Sequence, residues 1–207
     1  MKRMLFSAAA VTLLAGTAFG QDVMVAAPGS GPSLEGQPWV GMDTDLWDQG
    51  PHDGQNGLSN ATDAPFGFRR TILFDFVVPS GQSWDVDGMR WNHVWNALPP
   101  GTGTGAELRY YSDAGGSPGS PITSVVTSTS YSETATGNVY FSRPEAASTA
   151  GFPVQNFSAG TYWTDMTVVG PENNFWLTAA IGNGTECWVD YADFGGLQPG
   201  INVFGVS

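Results

Sequence analysis

Beyond residue 69 the apolar residues come in short runs with a period of two, and turn residues separate the runs. Residues 71–78 form the first clear strand, and Pro79-Ser80-Gly81-Gln82 follows as a turn. Residues 83–96 read as a long second strand whose parity changes midway. Trp84 and Val86 share one face, whereas Met89, Trp91 and Trp95 fall on the other. A bulge near Gly88 returns all five to a common core face. His93 shares the parity of Trp91 and Trp95 and is expected to be a hydrogen-bonded, half-buried histidine rather than a catalytic one.

Residues 106–111 make a further strand, and 112–119 a Gly- and Ser-rich loop. Residues 122–130, 137–142 and 152–157 are weaker strands. Residues 161–169, 174–181 and 185–191 are stronger ones, with Asn183-Gly184 as a hairpin turn between the last two. Val203 and Phe204 close a last strand. No stretch after residue 20 sustains a 3.6-residue apolar period. About nine strands in one domain predict an all-β fold: an antiparallel two-sheet β-sandwich, jelly-roll-like, over residues 69–207.

Two segments precede that domain. Residues 21–68 are an irregular N-terminal arm rich in Pro, Gly and Asp, with one or two short strands, for example around Trp39-Val40-Gly41-Met42. Trp39, Trp47 and Phe66 are costly to leave in water, so the arm is expected to wrap the domain. Residues 1–20 read as a signal peptide. Lys2 and Arg3 provide the positive start, residues 5–15 a short apolar stretch, and Ala18-Phe19-Gly20 the small residues of a cleavage site. The apolar stretch is short for a bilayer, and no later segment is apolar for long enough to cross one, so no membrane span is expected in the mature chain.

Charge narrows the partners. All 19 acidic residues but only five of the seven basic ones lie beyond residue 20, so a chain processed there would carry −14 against −12 for the whole. The five are Arg69, Arg70, Arg90, Arg109 and Arg143; no Lys remains. Nucleic acid and anionic lipid are repelled by such a surface. The single cysteine, Cys187, allows no internal disulfide, so the fold rests on its apolar core despite an oxidising address. In its alternating strand Cys187 reads as a buried, inert thiol, and His52 and His93 are the chain's only histidines.

Candidate chemistry is sparse. Asp43, Asp45 and Asp48, followed by Asp53, could offer hard oxygen ligands to calcium. The spacing is not that of an EF-hand, because Trp47 sits where an oxygen ligand belongs and no closing Glu follows. Asp85 with Asp87, and Glu186 with Asp190, share strand faces and read as solvent-facing. No Gly-x-Ser-x-Gly elbow and no phosphate-cradling loop ahead of a helix is present. Asn60, Asn156 and Asn183 each begin an Asn-x-Ser/Thr sequon.

The tryptophans carry more. Trp84, Trp91 and Trp95 belong to the core by alternation. In the last three strong strands the apolar faces are Tyr162, Met166 and Val168; Phe175, Leu177, Ala179 and Ile181; and Cys187, Val189 and Tyr191. That leaves Trp163, Trp176 and Trp188 pointing away from the core, with Glu186 and Asp190 beside Trp188. Flat rings flanked by carboxylates suit the C–H faces and hydroxyls of a sugar.

Four segments, Phe76-Val-Val-Pro-Ser-Gly-Gln-Ser-Trp84, Tyr111-Ser-Asp-Ala-Gly-Gly-Ser-Pro118, Gly160-Thr-Tyr-Trp163 and Asp193-Phe-Gly-Gly-Leu-Gln-Pro-Gly200, carry a family likeness. Over about residues 65–200 the chain resembles uncharacterised exported bacterial β-sandwich proteins, many of which bear a C-terminal PEP-CTERM sorting tail. The resemblance implies a secreted or cell-surface jelly-roll-like domain and no particular reaction. The sequence given ends at Gly205-Val206-Ser207 without such a tail. The expectation is therefore a secreted, non-enzymatic binding or extracellular-matrix component with polysaccharide as the favoured ligand. An extracellular polysaccharide hydrolase or lyase and a purely structural surface protein are the rivals, and no oligomeric state is implied.

Overall fold

The computed structural model describes residues 23–25, 52–60, 70–140, 142–179, 187–191 and 195–199. Eleven strands fill most of them: β1 (Val23–Val25), β2 (His52–Asn60), β3 (Arg70–Trp95), β4 (Gly105–Asp113), β5 (Pro118–Pro121), β6 (Val126–Thr127), β7 (Ser130–Tyr140), β8 (Arg143–Val169), β9 (Asn174–Ala179), β10 (Trp188–Tyr191) and β11 (Gly196–Pro199). No helix occurs among the described residues, so none is long and apolar enough to cross a membrane. Every strand pairing is antiparallel. The main path through the sheet runs β1-β2-β9-β3-β8-β4-β5, with β10 joining β3 and β11, β6 joining β4 and β7 joining β8.

The ladder between β3 and β8 organises everything else. It runs from Ile72↔Met166 through Trp84↔Phe157 to Val94↔Glu145, with register shifts between Val78 and Ser83 and between Val86 and Gly88. A straight strand of 26 residues would span about 85 Å. Yet Phe76 and Val78, near one end of β3, share a single core cluster with Trp91 and Trp95 at the other. The ladder therefore bends at its two irregularities, and the sheet curls onto its own inner face. Gly81, at φ +80°, supplies the left-handed backbone at the first bend. The second sits where the alternation predicts a bulge, and it brings Trp84, Trp91 and Trp95 into that cluster.

The curl corrects three expectations. Residues 79–82 do not reverse the chain; they are a bend inside one continuous β3. Predicted strands 152–157 and 161–169 are likewise one strand, β8. Finally, β9 and β10 do not form a hairpin with each other. β9 lies on the C-terminal part of β3 (Val94↔Phe175), and β10 lies on its N-terminal part (Val189↔Ile72). The proposed turn at Asn183-Gly184 and the strand at Val203-Phe204 lie outside the described residues, as does the short strand at residues 39–42. The arm nevertheless supplies two strands to the sheet, since β1 pairs β2 and β2 pairs β9.

Aromatic rings fill the first half of the curl. Phe76 meets Phe157 edge-on at 5.2 Å and Tyr162 at 5.6 Å, and Tyr110 meets Phe157 at 4.8 Å. Smaller clusters lie on other faces: Leu58, Ile72, Val189 and Tyr191; Val94, Tyr140 and Phe175; and Leu73, Tyr111 and Trp163. Both faces of β3 are thus buried over much of its first seven residues.

Candidate functional site

Two places gather chemistry-bearing side chains. The first is the face of β10, β3, β8 and β4 that points away from the main core. Register sets its rows: Trp188, Leu73, Asp165 and Arg109 lie side by side, and Asp75, Trp163 and Tyr111 form the next row. The middle is dry, with Leu73, Trp163, Asp165 and Asp75 all buried. Two side-chain hydrogen bonds cross this face, while Arg109 Nε and Thr167 Oγ1 are buried without one among the described residues. The Tyr111 hydroxyl donates to Asp165 Oδ2 at 2.8 Å, and Trp163 Nε1 donates to Asp113 Oδ1 at 2.9 Å. That indole bond, helped by the Gly116 and Gly115 amides and opposed by partial desolvation, holds the Asp113 carboxyl below its usual range. Burial first, then the Asp165 charge and hydrogen bond, pushes the Tyr111 phenol up. Around this middle runs a half-buried rim of Trp188, Asp190, Arg109 and Asp113. The Trp188 ring meets the Trp163 ring edge-on at 6.5 Å, and the Arg109 guanidinium lies 5.9 Å from the Tyr111 ring centre.

This geometry revises the three-ring platform. Trp163 does point away from the main core beside Asp165, but it is fully buried. Trp176 is on the opposite side. Its register partner is His93, which faces inward with Trp91 and Trp95, so its ring stacks on Trp91 at 6.0 Å and contacts Phe74 at 5.9 Å. Phe175, expected inward, packs instead with Val94 and Tyr140. Consecutive apolar residues Phe175, Trp176 and Leu177 leave alternation without a sign, and pairing to β3 supplies it. Of the three rings only Trp163 and Trp188 meet, and Asp190 lies two residues along β10 from Trp188. Glu186 and the proposed calcium ligands Asp43, Asp45 and Asp48 lie outside the described residues, and Asp53 falls within β2, in the sheet rather than in a loop.

The second place is interior, and no motif or spacing in the chain points to it. β7 turns Tyr131 and Glu133 inward toward Trp91, His93 and Trp95. Glu133 Oε1 accepts from Trp95 Nε1 at 2.7 Å and from the Gly101 amide at 2.7 Å. Its Oε2 accepts from the Tyr131 hydroxyl at 2.7 Å and from the Gly103 amide at 3.1 Å. Burial favours the neutral acid, but the Trp95 and Tyr131 bonds, His93 and the Gly101 amide outweigh it, so the carboxyl titrates below its usual range. His93 Nε2 lies 3.8 Å from Glu133 Oε2, beyond hydrogen-bond reach. Neither imidazole nitrogen has a hydrogen-bond partner among the described residues, contrary to the expectation of a satisfied histidine. Burial drives its pKa down to about 4, against the opposing pull of Glu133 and Glu145.

Glu145 lies on the other face of the same strands. Its carboxylate accepts from Asn92 Nδ2 at 2.7 Å, Thr136 Oγ1 at 2.5 Å and Asn138 Nδ2 at 2.8 Å, and its side chain is fully buried. Both glutamates are chemically occupied: their lone pairs are taken by fixed donors rather than turned toward a cleft. No family model, no curated protein and no solved structure matches this chain.

Proposed function

We propose that the chain is exported on its N-terminal segment and serves outside the cell as a non-enzymatic binding or matrix component. Polysaccharide is the ligand, taken at the rim around Trp188. The observation that carries this reading is the half-buried Trp188 ring, braced edge-on by the buried Trp163, with Asp190 two residues along β10 and Arg109 and Asp113 across the same face on β4. A braced indole loses little freedom on stacking against a sugar, and flanking charged and amide groups can pair with hydroxyls. Donor-capped Glu133 and Glu145 support binding over hydrolysis, because neither is presented as an acid or base. The resemblance to exported bacterial β-sandwich proteins points the same way. In this reading the curled sheet is a two-sheet, jelly-roll-like sandwich. One layer holds β11, β10, the first half of β3, the second half of β8 and β4; the other holds β2, β9 and the remaining halves of β3 and β8.

A panel of soluble polysaccharides, titrated into the chain beginning at Gln21 with and without calcium, tests the reading. At least one polysaccharide is expected to bind, and Trp188→Ala is expected to weaken it about tenfold, the equivalent of about 1.4 kcal/mol of ring contact. A panel with no binder, or a binder indifferent to Trp188→Ala, overturns the assignment. Calcium dependence would place Asp43, Asp45, Asp48 and Asp53 in the ligand set; a calcium-independent titration and an unchanged melting temperature would remove them.

A further inference from the structure

β7 is held to the rest of the sheet unevenly. It pairs with β8 and with no other strand among those described. Seven of its eleven residues are exposed, in a run of Ser, Thr, Ala, Gly and Val side chains that contribute little apolar burial. On the main-core side its grip is Tyr131 and Glu133, and three of the four donors on the Glu133 carboxylate tie it to Trp95 and to the loop at Gly101 and Gly103; on the other face Thr136 and Asn138 donate to Glu145 on β8, and Tyr140 at its end packs on Val94 and Phe175. Directly beneath this grip sits His93, wholly inaccessible, with neither nitrogen hydrogen-bonded among the described residues and Nε2 3.8 Å from Glu133 Oε2.

We propose that β7 is an acid-released latch: protonation of His93 is incompatible with the closed strand, so falling pH peels β7 from β8, uncovers the indoles of Trp91 and Trp95 and frees the hydrogen-bonding edge of β8. The groups facing His93 fix the sign. Glu133 and Tyr131 face it from β7, Trp176 from β9, and Trp91 and Trp95 flank it on β3; Glu145 acts on it from β8 through the sheet. Only the two glutamates carry charge, and both are already saturated by other donors, so neither gives the imidazolium a hydrogen bond. Burial therefore dominates, and the closed state prefers neutral His93. An opened strand returns the imidazole to water and to its ordinary pKa of about 6.5. Opening thus takes up a proton between about pH 6.5 and pH 4, and acid favours it. Glu133 acts in the same sense, because its carboxyl also binds a proton more readily once its donors are withdrawn.

Amide hydrogen exchange on the full chain from Gln21 reads the latch. Between pH 7.5 and 4.5, after correction for intrinsic exchange, protection of residues 130–140 is expected to fall roughly seventyfold. Residues 160–168, in the ladder between β3 and β4, are expected to change far less. In His93→Gln the fall over residues 130–140 should flatten. An unchanged fall in that variant, or an equal loss across the whole sheet, overturns the proposal. Should His93→Gln not fold, the wild-type imidazole resonances decide, since the chain has only two histidines and His52→Gln assigns them. A His93 midpoint below 5 supports the latch, and one near 6.5 refutes it. None of these readouts depends on a polysaccharide.

Discussion

Trp95 shows how one side chain can fix a neighbour's identity. It is fully buried, its Nε1 is anchored on Glu133, and the edge of its six-membered ring lies over Gly170. A Cβ at position 170 would sit 2.9 Å from Trp95 Cζ3 and closer still to Cη2. The ring cannot retreat without giving up its bond to Glu133 and its edge-on contact with His93 at 5.4 Å. Gly170→Ala is therefore expected to destabilise the fold by about 2 kcal/mol, the usual range for overpacking a filled site. Urea denaturation, with an unchanged slope and a lower midpoint, is the measurement; an unaltered midpoint would mean the ring moves freely. Alternation placed Trp95 inside correctly, because its period survives the bulge near Gly88. Glu133 was invisible for the opposite reason. It sits in a Ser- and Thr-rich alternating run that resembles a solvent-facing strand, and two of its donors, Gly101 and Gly103, come from some thirty residues earlier in the chain. Only the curl brings them together.

At the scale of elements, closure of the curl depends on a side chain acting as backbone. Asn60, at the end of β2, is fully buried; its Nδ2 donates to the Met166 carbonyl at 2.6 Å and its Oδ1 accepts from the Val168 amide at 3.2 Å. It thereby fastens β2 to the last turn of the β8 ladder, although β2 pairs with β9 rather than β8. The same use explains why the sequon at Asn60 is a coincidence of spelling: a glycan on that nitrogen has no room in the folded chain. Asn60→Ala leaves a buried carbonyl and a buried amide unpaired, and a loss of about 2–3 kcal/mol is expected from those two orphaned groups. Thermal unfolding of the variant measures it, with a loss below about 0.5 kcal/mol counting against the clamp. Strands 71–78, 106–111 and 161–169 were legible because each carries one apolar and one mixed face. The continuity of β3 and β8 was not, since Pro79 and Gly81 are turn residues by type and only the facing strand reveals that they bend the chain without reversing it. The orientation of β9 was equally hidden, because Phe175, Trp176 and Leu177 put large apolar residues on both of its faces.

For the molecule as a whole, the acidic excess works against the curled sheet. The chain carries 19 acidic and seven basic residues, and compaction brings those like charges closer than they lie in an unfolded chain. Salt relieves this repulsion by shortening the screening distance from about 30 Å at 0.01 M to under 10 Å at a few tenths molar. At pH 7.5, raising sodium chloride across that range is expected to raise the melting temperature by a few degrees, the size of shift that about 1 kcal/mol produces in a domain this large. Near pH 4.5 two terms oppose each other. Protonation of surface carboxylates lowers the net charge and so removes most of what salt can screen. Meanwhile His93, held near 4 in the folded state and about 6.5 in the unfolded one, has already withdrawn on the order of 3 kcal/mol, present above pH 6.5 and lost as pH falls toward 4. Calorimetry at both pH values separates them: the salt effect should shrink at pH 4.5 while the melting temperature there stays below its pH 7.5 value. A higher melting temperature at pH 4.5 would show that charge repulsion outweighs the buried imidazole. An undiminished salt effect would show instead that the acidic groups keep their charge in acid because structure, like the indole and amides around Asp113, holds their protons off.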